Sequence, residues 1–156
     1  MVFPSAFKSY IPRSHCIDTH VYGVVLVSDD DEVAIVQGRQ SGKWSFPKGH
    51  GHHSETPLDA ALRELKEETG IDLSGRKPDN ERRFKSGATG SGGTYFIYVM
   101  KDKPILCPED NVEVAKTMWC PRSRLGNLVG NKDLRAFCRS GFHLSPSITD
   151  PSFNSY

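Results

Sequence analysis

No run of about 18 consecutive apolar residues occurs anywhere in the 156-residue chain, which excludes a membrane-spanning helix. An excess of charge of one sign is also missing. Lys and Arg number 20 and Asp and Glu 19, a formal net charge of +1, so binding to a nucleic acid or a membrane surface would need a local patch rather than a global field. Cysteines are few, at Cys16, Cys107, Cys120 and Cys138, and no C-x-x-C pair exists. That argues against a zinc knuckle or a dithiol redox motif and predicts buried or half-buried free thiols in a reducing compartment. The first 14 residues hold two prolines and no apolar core, a poor secretory signal. A cytoplasmic or nuclear location is therefore expected, not a secreted one. Hydrophobic residues make up 37% and the mean hydropathy is −0.48, too apolar for a wholly disordered chain. The length suits a single domain with its own core.

Residues 1–15 lack any regular pattern. Apolar and β-branched runs at 19–27 and 33–37 read as two strands of a hairpin. The acidic turn between them, at 28–31, invites a metal reading, but Ser and Asp favour turns through local backbone bonds, so a solvated turn is expected. A Gly-, Pro- and His-rich loop follows at 42–53. Thr56, Pro57 and Asp59 then give a cap, a first-turn proline and an acid three residues after the cap. The helix should run to Thr69 and stop at Gly70. Residues 76–85 are polar and basic and 86–93 are a flexible loop. A strand is expected at 94–100, a short strand within 112–119, and a short helix around 134–138 ended by Gly141. The domain is expected to occupy 1–144, with a loose tail at 145–156. Without a βαβ rhythm the class is α+β, a mixed sheet sandwiched between helices.

On the 56–69 helix, Leu58, Ala61, Leu62, Leu65 and Thr69 form one stripe, predicted to face the core. Glu64, Glu67 and Glu68 fall together on the neighbouring face, three and four residues apart, so their side chains meet. Like charges at this spacing cost about 0.2–0.5 kcal/mol per pair, and a cation would turn the cost into a gain. Glu55, Asp59, Glu64, Glu67 and Glu68 outnumber Arg63 and Lys66 by three. Such a cluster suits Mg²⁺ or Mn²⁺, which take oxygen ligands and share the rest of their shell with water and substrate phosphates. A plain charged solvent face is the alternative for the isolated pattern.

The surroundings decide between them. Gly49, Glu55 and Arg63-Glu64-Leu65-Lys66-Glu67-Glu68-Thr69-Gly70-Ile71 match the pattern G-x5-E-x7-R-E-U-x-E-E-x-G-U at every fixed position over 23 residues, with Trp44-Ser45-Phe46-Pro47-Lys48 leading into it. The chain thus resembles the Nudix family, hydrolases of a diphosphate linked to another group, whose fold is a mixed sheet between helices. The resemblance implies that Glu64 and Glu68 bind Mg²⁺ or Mn²⁺ with the Gly49 carbonyl. It makes Glu67 the water-binding carboxylate or base, also near the metal, with Glu64 its competitor as base. Arg63 would orient the glutamates and Glu55 brace the loop. Ser54 stands where the family often has Gly, so the loop backbone should differ slightly there.

Lys48 is placed to meet a substrate phosphate. Arg39 and Lys43 are weaker candidates for the same job. His50 can contact phosphate, or the His50, His52, His53 cluster can be a solvated loop; a metal reading lacks a fourth partner at metal-site spacing. The resemblance further implies an acid from beyond the box in the metal shell, with Glu109 and Glu113 as candidates. Trp44, Phe84, Tyr95 and Phe96 could stack on a base, though core packing suits Phe96 and Trp119 better. Local basic balances of +3 over 76–85 and +4 over 121–142 suit a densely anionic substrate. The W-x-F-P-K-G-H stretch resembles branches acting on dinucleoside polyphosphates, diphosphoinositol polyphosphates and capped messenger RNA. A small-molecule polyphosphate is the favoured substrate, because no RNA-binding module is visible. An RNA 5′ end is the alternative. A non-catalytic binding module, expected to have lost box glutamates, is third.

Overall fold

A computed structural model describes residues 20–85 and 92–140. Cys16, the irregular stretch at 1–15, most of the 86–93 loop and the 145–156 tail lie outside them, so those expectations have no counterpart here.

Strand β1, Val21–Ser28, is the centre of the molecule. Val24, Val25, Leu26 and Val27 are all fully buried, as a continuous apolar run must be when both faces of its sheet are covered. β1 pairs in parallel with β6, Gly92–Met100, over eight registered positions from Val21↔Gly93 to Ser28↔Met100. Strand β2, Glu32–Gly38, is the expected hairpin partner of β1. It pairs beside the turn, with Val27 opposite Val33. The other half of β1 takes the short β4, Lys48–His50, with Tyr22 opposite Gly49. The sheet runs β3-β2-β1-β6-β5, with β4 on β1 and β7 (Val114–Pro121) on β2; β3 is Trp44–Ser45 and β5 is Asn80–Lys85.

Alternation along the strands divides the core in two. Val24, Leu26, Ala34, Phe96 and Tyr98 pack with Ala61 and Leu65 of helix α1, Pro57–Thr69. Val25, Val27, Ile35, Tyr95 and Ile97 pack on the other face with Phe46, Leu125, and Leu134 and Phe137 of helix α2, Lys132–Arg139. The expected mixed sheet between helices is what forms.

Both ends of α1 follow the sequence signals. Thr56 accepts the Asp59 N–H at 3.1 Å, and Gly70, at φ 77°, donates its N–H to Lys66 O. The apolar stripe is narrower than expected. Leu58 and Leu62 are half-buried, while Glu64 and Glu68 are buried with Ala60, Ala61, Leu65 and Thr69. Helix α2 starts two residues before the expected 134, because Asn131 caps it through the Leu134 N–H. Strand β5 forms within the stretch whose sequence shows mainly polar and basic character. Its sequence, NERRFK, offers one apolar residue, and charge on an edge strand blocks further pairing. The acidic turn at 28–31 carries ion pairs instead of a metal motif: Lys103 Nζ holds Asp30 and Glu32 at 2.6 and 2.9 Å, and Arg122 Nε holds Asp31 at 2.9 Å. Of the three described cysteines, all free, Cys120 is buried but Cys107 and Cys138 are exposed, against the expectation of burial. No helix of the described residues is long and apolar enough to cross a membrane.

Gly23 lets the loop leading into β4 lie directly on β1. A Cβ there would stand 2.4 Å from Pro47 O, 2.7 Å from Lys48 Cβ and 2.8 Å from the Tyr95 ring. Gly23→Ala is expected to destabilise the protein by about 1–3 kcal/mol, the usual cost of overpacking, read as a lowered urea midpoint at unchanged slope.

Candidate active site

Helix α1 turns two carboxylates toward β4. Glu64 and Glu68, one turn apart, are 9% and 6% exposed. The Lys48 N–H donates to Glu68 Oε1 at 3.2 Å. A Cβ on Gly49 would stand 2.2 Å from Glu64 Oε1, so the glycine leaves the space that the carboxylate fills. Glu67, the third member of the cluster, has a 40% exposed side chain and turns toward Arg63.

Arg63 organises the group. Its Nε donates to Glu55 Oε2 at 2.8 Å, Nη1 to Glu64 Oε1 and Glu67 Oε2 at 3.0 Å each, and Nη2 to His50 O at 3.0 Å. Glu55 Oε1 also accepts the His52 N–H at 2.7 Å, so Glu55 ties the loop to the helix. Ser54 takes φ 73°, a left-handed conformation that costs a residue with a Cβ roughly 1–2 kcal/mol.

Burial sets the electrostatics. It raises Glu64 to about 7 against the pull of Arg63, with Glu67 and Glu113 adding to the rise. It raises Glu68 to about 8 against Lys48, with Glu64 and Glu113 adding. Burial works against the charge on Arg63, but Glu55, Glu64 and Glu67 outweigh it and hold the proton more firmly than usual. The bond from Arg63 keeps Glu55 below the ordinary glutamate range, with burial opposing.

Lys48, Gly49, Glu55, Arg63, Glu64, Glu67 and Glu68 therefore come together. Among the described residues no three His, Cys, Asp or Glu side chains are arranged to hold one ion, because Glu67 leans on Arg63 while the other two glutamates face β4. His50 is exposed, its carbonyl bonded by Arg63 and its Nδ1 3.2 Å from His20 O. Lys43 is exposed, and its carbonyl accepts the Gly38 N–H. Arg39 is spent on backbone: its guanidinium bonds Asn111 O and Val114 O at 3.0–3.2 Å. Phe84, Tyr95 and Phe96 are buried in the core, and Trp44 is half-buried. Glu113 is exposed yet bears electrostatically on both buried glutamates.

The NUDIX domain profile matches residues 19–139. The chain belongs to the Nudix family. It is 33% identical over 119 residues to the m7GpppN-mRNA hydrolase dcap-2 of Caenorhabditis elegans, covering 72% of this chain and 14% of that one. It is 43% identical over 49 residues to the RNA pyrophosphohydrolase of Xylella fastidiosa, covering 31% of this chain and 26% of the relative. The chain thus spans a minor part of these relatives. Its fold resembles that of the C. elegans Ap4A hydrolase binary complex, with TM-score 0.61 and 21% identity over 78% of this chain and 99% of the other. Nudix hydrolases generally use divalent cations, and a bifunctional NMN adenylyltransferase/ADP ribose pyrophosphatase of Francisella tularensis is complexed with AMP and a Mn ion; it superposes with TM-score 0.62 at 20% identity, over 77% of this chain and 39% of that one.

The donors in this Nudix chain fit such an ion. They are oxygens only, as hard cations require, and two buried like charges stand one turn apart in the recess that Gly49 leaves. The sign of the pH dependence follows. Glu64 and Glu68 bind protons more tightly folded than unfolded, where 4.5 is the reference. Their contribution is fully present below about 4.5 and is lost as pH rises through about 7 and 8. In chelator, the melting temperature should fall by at least about 5 °C between pH 5.5 and 8.5. Mn²⁺ should restore it more at the higher pH, and Glu68→Gln should flatten the pH trend in chelator.

Proposed function

We propose that this Nudix protein is a metal-dependent pyrophosphohydrolase that cleaves a phosphoric anhydride in a densely phosphorylated substrate by attack of water on phosphorus. The observation that carries this reading is the burial of Glu64 and Glu68 side by side against Gly49, with Glu67 held at the surface of the same cluster. Glu64, Glu68 and the Gly49 main chain hold Mg²⁺ or Mn²⁺. When bound, the cation neutralises phosphate oxygens and makes the attacking water more acidic.

The remaining work falls to side chains. Glu67, the most exposed of the three glutamates, takes the proton as the water oxygen bonds to phosphorus and the bridging P–O bond breaks, its electron pair leaving with the departing phosphate. Glu64 is the less suited base, because its side chain is 11% exposed. Arg63 holds Glu64 and Glu67 in place by charge-assisted bonds, and Lys48 meets a substrate phosphate.

The similarity to decapping and RNA pyrophosphohydrolase sequences shifts the substrate reading from a small polyphosphate toward an RNA 5′ end. The Ap4A hydrolase likeness speaks for the fold alone at its 21% identity. Free thiols at Cys107, Cys120 and Cys138 support a reducing compartment, cytoplasmic or nuclear.

Phosphate release with Mg²⁺ and Mn²⁺ across capped RNA, dinucleoside polyphosphates, inositol diphosphates and nucleotide sugars tests the chemistry. Glu67→Gln and Glu68→Gln should each cut turnover at least ~100-fold with the fold retained; near-full activity in both would defeat the assignment. An RNA substrate should lose affinity steeply with salt and respond to RNA length, whereas a small polyphosphate cannot show the length dependence.

A further inference from the structure

One cross-strand row joins the acidic recess to the far edge of the sheet. Gly49 on β4 is opposite Tyr22 on β1, Tyr22 is opposite Thr94 on β6, and Thr94 is opposite Arg83 on β5. At the usual strand spacing Arg83 stands three strands, roughly 14 Å, from Gly49. Helix α1 packs over β1, so the recess lies on one flank of the helix and Arg83 on the other. On that second flank a groove of about 540 Å³ opens between the first turn of α1, at Thr56 to Leu58, and strands β6 and β5. Its size is that of a small-molecule site, and none of the residues assigned above to the cation or to a substrate phosphate lines it.

The floor of the groove is aromatic and held in place. The His20 and Tyr22 rings have centroids 5.1 Å apart, and His20 Nε2 lies 2.7 Å from the Thr94 hydroxyl oxygen. Gly51 lies against the Tyr22 ring from the loop side, where a Cβ would come within 3.3 Å. Phe96 stands diagonal to Tyr22 in the β1–β6 register. Rings of this kind give a base a flat surface to stack on.

The rim supplies charge. The Arg83 side chain is 73% exposed, and among the described residues its only bond runs from Nε to Glu81 Oε2 at 3.2 Å. Both terminal nitrogens are left for the forked pairing that a guanidinium makes with phosphate. Glu81 sets a limit, because Arg83 matches one anionic group and a second would meet a carboxylate, a built-in repulsion of the kind that gives specificity. A flat ring carrying one phosphate satisfies floor and rim together. We propose that this groove binds a nucleoside monophosphate, apart from the cation recess, with the base on the Tyr22–Phe96 floor and the phosphate on Arg83. This site goes beyond the hydrolase reading and does not depend on it.

The test uses the full chain in chelator with AMP as the probe, binding read by calorimetry and its location by amide NMR shifts. AMP should shift Leu58, Thr94 and Phe96 more than Lys48 and Gly49. Arg83→Gln should weaken AMP at least about tenfold, the loss expected for hydrogen bonds to a charged group, while adenosine binds this variant as it binds the wild type. The melting temperature should hold, since the Arg83 side chain is exposed. ADP and a 5′-phosphorylated trinucleotide should bind no tighter than AMP, and replacing chelator by Mn²⁺ should leave the AMP affinity unchanged. No shift of the groove amides at millimolar AMP overturns the proposal, as do shifts confined to Lys48 and Gly49 and full AMP affinity in Arg83→Gln. Affinity that climbs with each added phosphate, or that requires Mn²⁺, also overturns it, since either places the ligand in the substrate cleft. No readout involves turnover, so failure of the hydrolase reading leaves this one standing, and the reverse holds as well.

Discussion

Arg63 donates from three nitrogens to several parts of the site at once: the carboxylates of Glu64 and Glu67 on its own helix, Glu55 in the loop, and the His50 carbonyl at the end of β4. Without that cation, the half-buried carboxylates around it would repel each other in a poorly solvating environment, and the loop would have no fixed distance from the helix. Removing one partner from such a group leaves the others desolvated and unpaired, which is why these networks respond so strongly to single changes. The guanidinium geometry matters as well, because its planar fork can serve acceptors on both sides where a lysine ammonium is a single point.

That network leaves a division of labour among three glutamates of identical chemistry. Glu64 and Glu68 face inward, where burial makes ionisation costly. Glu67 faces outward, its carboxylate held by Arg63. A cation entering the recess is favoured because it removes a penalty the fold has already built in. The charge stored on the helix is thereby coupled to metal affinity and to pH.

Much of this was legible in the sequence because it depends on local chemistry. The cap at Thr56, the left-handed stop at Gly70 and the three- and four-residue spacing of the glutamates are properties of a helix and need no tertiary information. The parallel pairing of β1 with β6 was not legible, since nothing in either strand names its partner. Nor was β5, whose single apolar residue, Phe84, gives a weak signal. The burial of Glu64 and Glu68 was hidden for a related reason: a carboxylate is read as solvent-facing until the neighbour that covers it, here β4, is known. Arg39 shows the converse. A basic residue on a loop near a phosphate site invites a substrate role, and only the path of residues 111–114 reveals where its donors go.

The parallel joining of β1 to β6 also has a bearing on how the molecule is made. It pairs residue 21 with residue 93 and residue 28 with residue 100, so the central strand is made before its neighbour and waits for a partner encoded about 70 residues downstream. Contacts of such long sequence separation form slowly and leave apolar edges open meanwhile. Helix α1, though complete long before, has only part of its eventual platform until then. The acidic recess is accordingly a late product of assembly, and a chain halted on the ribosome before position 100 would carry every residue of the signature motif while lacking the strand that completes the sheet beneath it.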